Sequence, residues 1–322
     1  MKLSALVGAA GGVLGTRFVL VSYLPTVGCA LFLLVLLWAG APGAAPDFDQ
    51  AWHTAADLGV GEILGLWFLV TLVAVVSHPL QLRLVRLLEG EWPALLAPVR
   101  RLATHCQECR RRKLVGRLVA AGDPPSPVEV NRAGAAYARW SATYAPTELA
   151  AEPTALGNCL AAMEYYAGMR HGLDAVVTWP RLYPLVEGAA KENLDTQRDV
   201  LDAACRFSVT AAVASVTAAG LLWQSGWWLL IALVPAALSR LSYRGAVQAA
   251  IAYGISIDAA IDTYRFALYD QLRLPRPTNP HEERSLNDML CTHWRQRILL
   301  PDTLEYSHPQ PDPPPGMVAG SG

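Results

Sequence analysis

The densest group of residues able to do chemistry lies between positions 153 and 182. It reads Pro153-Thr-Ala-Leu-Gly-Asn158, then Glu164, then Arg170-His-Gly-Leu-Asp174, then Trp179-Pro-Arg181-Leu182. Asn158, Glu164, Arg170, Asp174, Trp179 and Arg181 supply an amide, two carboxylates, two guanidinia and an indole. Guanidinium forks neutralise carboxylates and fix helices in register, so the first reading is an ion-pair network that ties helices together. A second reading gives Arg170 and Arg181 an anion, a lipid headgroup or a protein partner to hold. A third makes Glu164 and Asp174 an acid–base pair. No nucleophile or metal motif accompanies them, so no catalytic residue is assigned.

Three further groups compete for attention. His105-Cys106-Gln-Glu-Cys109 has the spacing with which two thiolates bite one metal, and Cys291-Thr-His293 could supply a second half. That second half is tighter than structural zinc sites use, so ordinary reduced cysteines are expected, with no metal and no cofactor. Cys29 and Cys205 lie in or beside apolar runs and are expected to pack as small apolar groups. The run Arg110-Arg111-Arg112-Lys113, with Arg117 nearby, suits an anionic lipid surface. It lacks the aromatic interleaving of a nucleic-acid module, and the net charge of -1 agrees. Asp258, Asp262, Arg265 and Asp270 decorate one expected helix, where Asp262 and Arg265 can pair or two aspartates four apart can hold a cation. A solvated face is the plainer account of them.

The elements that must position these groups are set by lipid. The chain is 53% hydrophobic and 16% charged, against roughly a quarter charged in soluble domains. Four apolar stretches approach the roughly 20 residues that a bilayer core requires. They are Phe18 to Trp38, Ile63 to about Val76 (extended on both sides), Phe207 to Trp223, and Trp227 to Leu241 with Pro235 inside. Gln224, Ser225 and Gly226 separate the last two, which predicts a tight hairpin with Trp223, Trp227 and Trp228 at the interface. Ala39-Gly40-Ala41 imitates a signal-peptide end, but the preceding run is too long for one, so an anchor is expected. Ala211, Ser215 and Ala219 recur at intervals of four in the third stretch, a spacing for close helix contact within the hairpin or between subunits. Only His78 offers an ionisable group near membrane depth.

Charge sets the orientation. The segment from Gly40 to Glu62 carries Asp47, Asp49, Asp57 and Glu62 but neither Lys nor Arg. Lys2 and Arg17 precede the first stretch, Arg83, Arg86, Arg100 and Arg101 follow the second, and Arg240 and Arg244 follow the fourth. The positive-inside rule then puts both termini and the middle of the chain in the cytoplasm.

The 153–182 signatures resemble a family of uncharacterised multi-spanning membrane proteins from bacteria, mainly actinobacteria, which show P-T-x-L-G-N, R-Y-G-L-D and W-P-R-L. Leu88-Glu89-Gly90-Glu91-Trp92-Pro93 resembles a further signature, usually L-E-G-Y-W-P. His171 and Glu91 stand where that pattern has Tyr. The resemblance implies the architecture and brings no activity, substrate or cofactor.

The fold expected is all-α: an integral membrane protein with two transmembrane helical hairpins, four spans in all, flanking a helical cytosolic domain. Its segments are a hairpin over 1–82, the cytosolic domain over 83–206, a second hairpin over 207–244, a helical extension over 245–300 and a disordered tail over 301–322. Glu152-Pro153-Thr154 predicts a helix start and Trp179-Pro180 a helix break. The function expected is a non-enzymatic scaffold or regulatory protein of the bacterial plasma membrane, touching membrane lipid and a protein partner or further copies of itself. The alternative is a homo-oligomeric ion channel or pore, since the layout resembles bestrophin-type anion channels in topology alone.

Overall fold

The computed structural model describes residues 24–43, 46–77, 81–116, 118 and 126–308, and among them every regular element is helical. Two apolar helices come first, α1 (Leu24–Trp38) and α3 (Val60–Ser77), with the short α2 (Phe48–Ala56) between them. Asp47 caps α2 by accepting from the amides of Asp49 and Gln50. Next come α4 (Gln81–Glu89), α5 (Ala97–Val115) and α6 (Pro127–Ser141). A capping box between Ser126 and Glu129 opens α6, and these bonds hold the Glu129 carboxyl below its usual range. The signature region forms α7 (Ala155–Tyr166) and α8 (Ala175–Leu182). Two long helices, α9 (Gly188–Leu221) and α10 (Leu233–Leu272), precede the last, α11 (Pro280–Gln296).

Two helices are long and apolar enough to cross a membrane, Gly188–Leu221 and Gly226–Leu272. A third candidate exists if α2 and the start of α3, bent by 108°, count as one span. This corrects the expected count of four. Helix α1 is described over 15 residues, short of a span, and the expected start from Phe18 lies outside the described residues, as do His78, Arg17 and Arg117.

The third and fourth apolar stretches are each the apolar part of a longer rod. Helix α9 runs unbroken from the polar Gly188–Arg206 segment into the apolar one, and α10 likewise continues to Leu272. The chain turns at Gly226, whose φ is +57°, and proceeds as a 3-10 helix to Ala232 before α10 begins. Pro235 therefore falls in the first turn of α10, where its fixed φ suits a helix start.

Small residues bring α9 and α10 together. Ala211, Ala214 and Ala218 are buried, and Ser208 and Ser239 exchange bonds, each hydroxyl donating to the other's carbonyl at 3.1 and 2.8 Å. Ser215 donates to the Ala232 carbonyl and Ser242 to that of Ala204, both at 2.8 Å. The stripe of small residues thus serves contact within the hairpin. Leu36 of α1 packs with Ala218, Leu222 and Ala232, while Phe48 lies 5.7 Å from the Trp228 ring. Trp223 and Trp227 stay exposed at 76% and 80%, as suits an interface.

The chain divides into two compact units, Met1–Met163 with Glu192–Ser256, and Glu164–Lys191 with Ile257–Gly322. The first has a core of Leu156, Cys159, Leu201, Cys205 and Ala250. The second centres on Tyr269, Leu274 and Leu290, against which Leu304 packs. Within the expected tail Leu304 meets this core, and 309–322 lie outside the described residues.

Candidate functional site

The six candidate residues fall into two groups. Asn158 belongs to the first unit, where it is buried in the first turn of α7. Its oxygen accepts from the Glu152 amide at 3.0 Å, and its NH2 donates to the Glu152 and Thr154 carbonyls at 2.7 and 2.6 Å. Thr154 caps the helix as expected, accepting from the Gly157 amide at 3.0 Å. Its own hydroxyl donates to the Glu89 carbonyl at 2.8 Å. A Cβ at Gly157 would collide with that same Glu89 carbonyl oxygen, and one at Gly90 would collide with Pro153. The stretches 88–93 and 153–158, distant in sequence, thus form one junction. Asn158 and Gly157 are there to close it.

The other five residues belong to the second unit, and three of them, Arg170, Asp174 and Arg181, find partners on α10 or α11. Arg170 Nη2 reaches Asp258 Oδ2 at 2.5 Å and Asp262 Oδ2 at 3.3 Å. The aspartates spaced four apart do hold a cation, and the cation is a guanidinium. His171 sits between Asp262, at 2.8 Å from Nε2, and Glu283, at 3.5 Å from Nδ1. Glu283, 9% exposed, also accepts from Arg265 Nε at 2.8 Å. Arg265 donates in addition to the Asp262 backbone carbonyl, so its tie to that residue runs through the main chain.

Below the charges lies a buried amide. Asn287 is fully buried, accepts from the Tyr269 hydroxyl at 2.7 Å and donates to the His171 carbonyl at 2.7 Å. Gly168 and Gly172 bracket the Met169–His171 turn with φ of +77° and +73°. A Cβ on Gly172 would lie 2.9 Å from the Arg284 carbonyl oxygen, so glycine is required for the turn to approach α11.

Asp174 caps α8 by accepting from the Val176 amide and forms an ion pair with Arg295. Arg181 donates to the Val177 carbonyl at 2.6 Å and lies over the Trp294 ring at 4.5 Å. Trp179 packs against Tyr183 at 5.6 Å. Glu164 is exposed at the end of α7. The expected helix break at Trp179-Pro180 is corrected: Pro180 lies inside α8, in its last turn. Ending the helix two residues later limits the cost of the missing N–H.

No protein-family model, no curated protein and no solved structure matches this chain.

The cysteines take local roles. Cys106 and Cys109 are exposed on α5, with His105 Nε2 3.7 Å from Cys109 Sγ. Cys291 is buried on α11, 3.3 Å from the Asp174 amide and 3.7 Å from the Thr178 hydroxyl, and burial pushes its thiol up. Among the described residues, no group of three or more His, Cys, Asp or Glu is arranged to hold a metal. Of the basic run, Arg111 turns inward and donates to the Pro146 and Leu149 carbonyls at 3.3 and 2.8 Å. The sequence offered no local signal for Asn287, Glu283 or Arg295, which lie on a polar helix more than 100 positions from their partners in the 171–174 turn.

Proposed function

We propose that the chain is a non-enzymatic scaffold or regulatory protein of the bacterial plasma membrane, with both termini cytoplasmic, whose second unit binds a protein partner. The observation that carries this reading is the closed charge cluster. Arg170, His171 and Arg265 face Asp258, Asp262 and Glu283, so these groups are committed to holding a turn against two helices. Charges spent on each other fix a shape, and a fixed shape is what a docking module needs. Exposed apolar side chains on the same unit, Met169, Val176 and Leu299, supply contact area for a partner.

The two long apolar helices support a membrane anchor, and the basic residues that follow the apolar stretches support the cytoplasmic placement. The resemblance to multi-spanning actinobacterial proteins agrees with that anchor and with a second hairpin built on α1 and α3. The channel reading loses one argument, because Ser215 and its neighbouring small residues are used inside the hairpin.

The test is affinity purification of the full chain from its native membrane, with the particle mass measured by light scattering. The expected result is a stoichiometric protein partner that Val176→Glu or Met169→Glu releases without altering the helical signal. A partner-free symmetric oligomer that conducts ions in planar bilayers would overturn the reading.

A further inference from the structure

The first unit contains a cleft lined by Arg110, Arg240 and Arg244, together with Gln107, Thr154 and Tyr243, and its volume is about 600 Å³. No carboxylate lines it, and none of the three arginines forms an ion pair among the described residues. Gln107 is 8% exposed; its oxygen accepts from the Tyr144 hydroxyl at 3.0 Å, while its NH2 has no partner among the described residues. The first turn of α7 also borders the cleft, but its Leu156 and Gly157 amides already donate to Tyr243 and Thr154. The positive charge therefore comes from the guanidinia. Three of them sharing one cleft repel one another, and an anion would relieve that repulsion.

An apolar groove of about 710 Å³ adjoins the cleft and shares Arg240 and Tyr243 with it. Leu87, Leu88, Val209, Val213 and Ala236 line it, and it follows α9 from Ser208 to Thr217. That stretch is about 14 Å long at the helical rise. The serines along it are spent within the hairpin, Ser208 and Ser239 on each other and Ser215 on Ala232, so apart from Thr217 at its end the groove offers a ligand mainly carbon. A tri-arginine cleft that shares two of its walls with an apolar groove matches a phosphate joined to an acyl chain. Free phosphate would use the cleft alone, and a neutral lipid the groove alone.

We propose that Arg110, Arg240 and Arg244 hold the phosphate of an anionic phospholipid whose acyl chain lies in the groove along Ser208–Thr217. The site rests on the membrane placement argued above and gives that placement a specific lipid. Arginines after an apolar stretch sit where headgroups are, and Arg240 and Arg244 occupy that position on α10.

The test uses the full chain in detergent, titrated with phosphatidylglycerol, phosphatidylcholine or inorganic phosphate and read by native mass spectrometry. Phosphatidylglycerol adducts are expected to exceed phosphatidylcholine adducts at least tenfold. The triple variant Arg110→Gln, Arg240→Gln, Arg244→Gln should lose that preference while keeping its helical signal, since all three side chains are exposed. Ala212→Trp, which fills the groove from an exposed position, should lower phosphatidylglycerol binding several-fold and leave phosphate binding unchanged. Equal adducts of the two lipids, or an undiminished preference in both variants, would overturn the site. Binding of phosphate as tight as phosphatidylglycerol would also overturn it, in favour of a free anion. Flotation with vesicles separates the two levels: a chain that floats but shows no preference loses only this site, and one that stays in solution loses the membrane placement as well.

Discussion

In the second unit Arg170, Arg265, Arg276 and Arg295 each meet a carboxylate, whereas Arg110, Arg240 and Arg244 of the first unit meet none among the described residues. The same side chain is thus used in two ways. Paired with Asp258, Glu283 or Asp174, its donors are consumed in holding a turn and two helices together. Left unpaired after an apolar stretch, its donors stay available for something the chain does not itself supply. Polar groups differ between the regions in the same sense. The hairpin bonds serine hydroxyls to backbone carbonyls over short side chains, while the second unit reaches across long ones to ionised partners. Close apolar contact between helices needs smallness, and a turn docked on two polar helices needs neutralised charge.

The largest expected effect breaks the polar centre of the second unit. Asn287→Ala removes two bonds of 2.7 Å and strands the Tyr269 hydroxyl and the His171 carbonyl in a site with no exposure. Unsatisfied buried groups cost roughly 1–3 kcal/mol each, so a loss of about 3 kcal/mol is expected. Hydrogen exchange of α11 amides is the measurement. A change confined to about 0.5 kcal/mol would show that charge pairing rather than the buried amide holds the turn.

Arg265→Met comes next and tests the value of a paired arginine. It keeps an unbranched side chain but removes the guanidinium that faces Glu283 and lies 4.4 Å from the centre of the Phe266 ring. Leaving a buried carboxylate uncompensated costs 3–5 kcal/mol in a dry interior, but the Arg265 side chain is 19% exposed and water tempers that figure. About 2 kcal/mol is expected, recovered in large part by adding Glu283→Gln. Thermal melts of the single and double variants decide it, and an additive double variant would deny the coupling.

How much of this was legible in the sequence follows the range of the interactions. The apolar parts of α9 and α10, the turn at Gly226 and the cap at Thr154 are local patterns, set by hydropathy and by residues within one turn of each other. The need for Arg170, Asp174 and Arg181 to find partners was legible as well. Their partners were not, because Asp258, Asp262, Trp294 and Arg295 lie 88 or more positions away and nothing local points from one to the other. The 88–93 and 153–158 stretches could each be recognised, yet their junction shows only where a Cβ at Gly157 meets the Glu89 carbonyl. The span count differed at the first two stretches: α1 is described over 15 residues, short of a span, and α3 qualifies only together with α2, from which it is bent by 108°.

The smallest expected effect lies on the unpaired side of the comparison. Arg240→Gln removes a cation that has no carboxylate partner among the described residues and that lies 5.8 Å from the centre of the Tyr243 ring. An exposed cation–π contact is worth roughly 0.5–1 kcal/mol at most. Against it stands the repulsion from Arg110 and Arg244 across the same cleft, which the substitution relieves. The two terms oppose each other, so lipid-free stability in detergent should stay within about 0.5 kcal/mol of the parent. With phosphatidylglycerol present the parent should gain stability and the variant less, because a ligand that binds only the folded state stabilises it by mass action. The informative quantity is therefore the difference between the two melts with and without lipid. A large loss without lipid would mean that Arg240 has a structural partner after all, and the contrast between paired and unpaired arginines would collapse. Equal shifts with lipid would keep the contrast in stability but remove its meaning for binding.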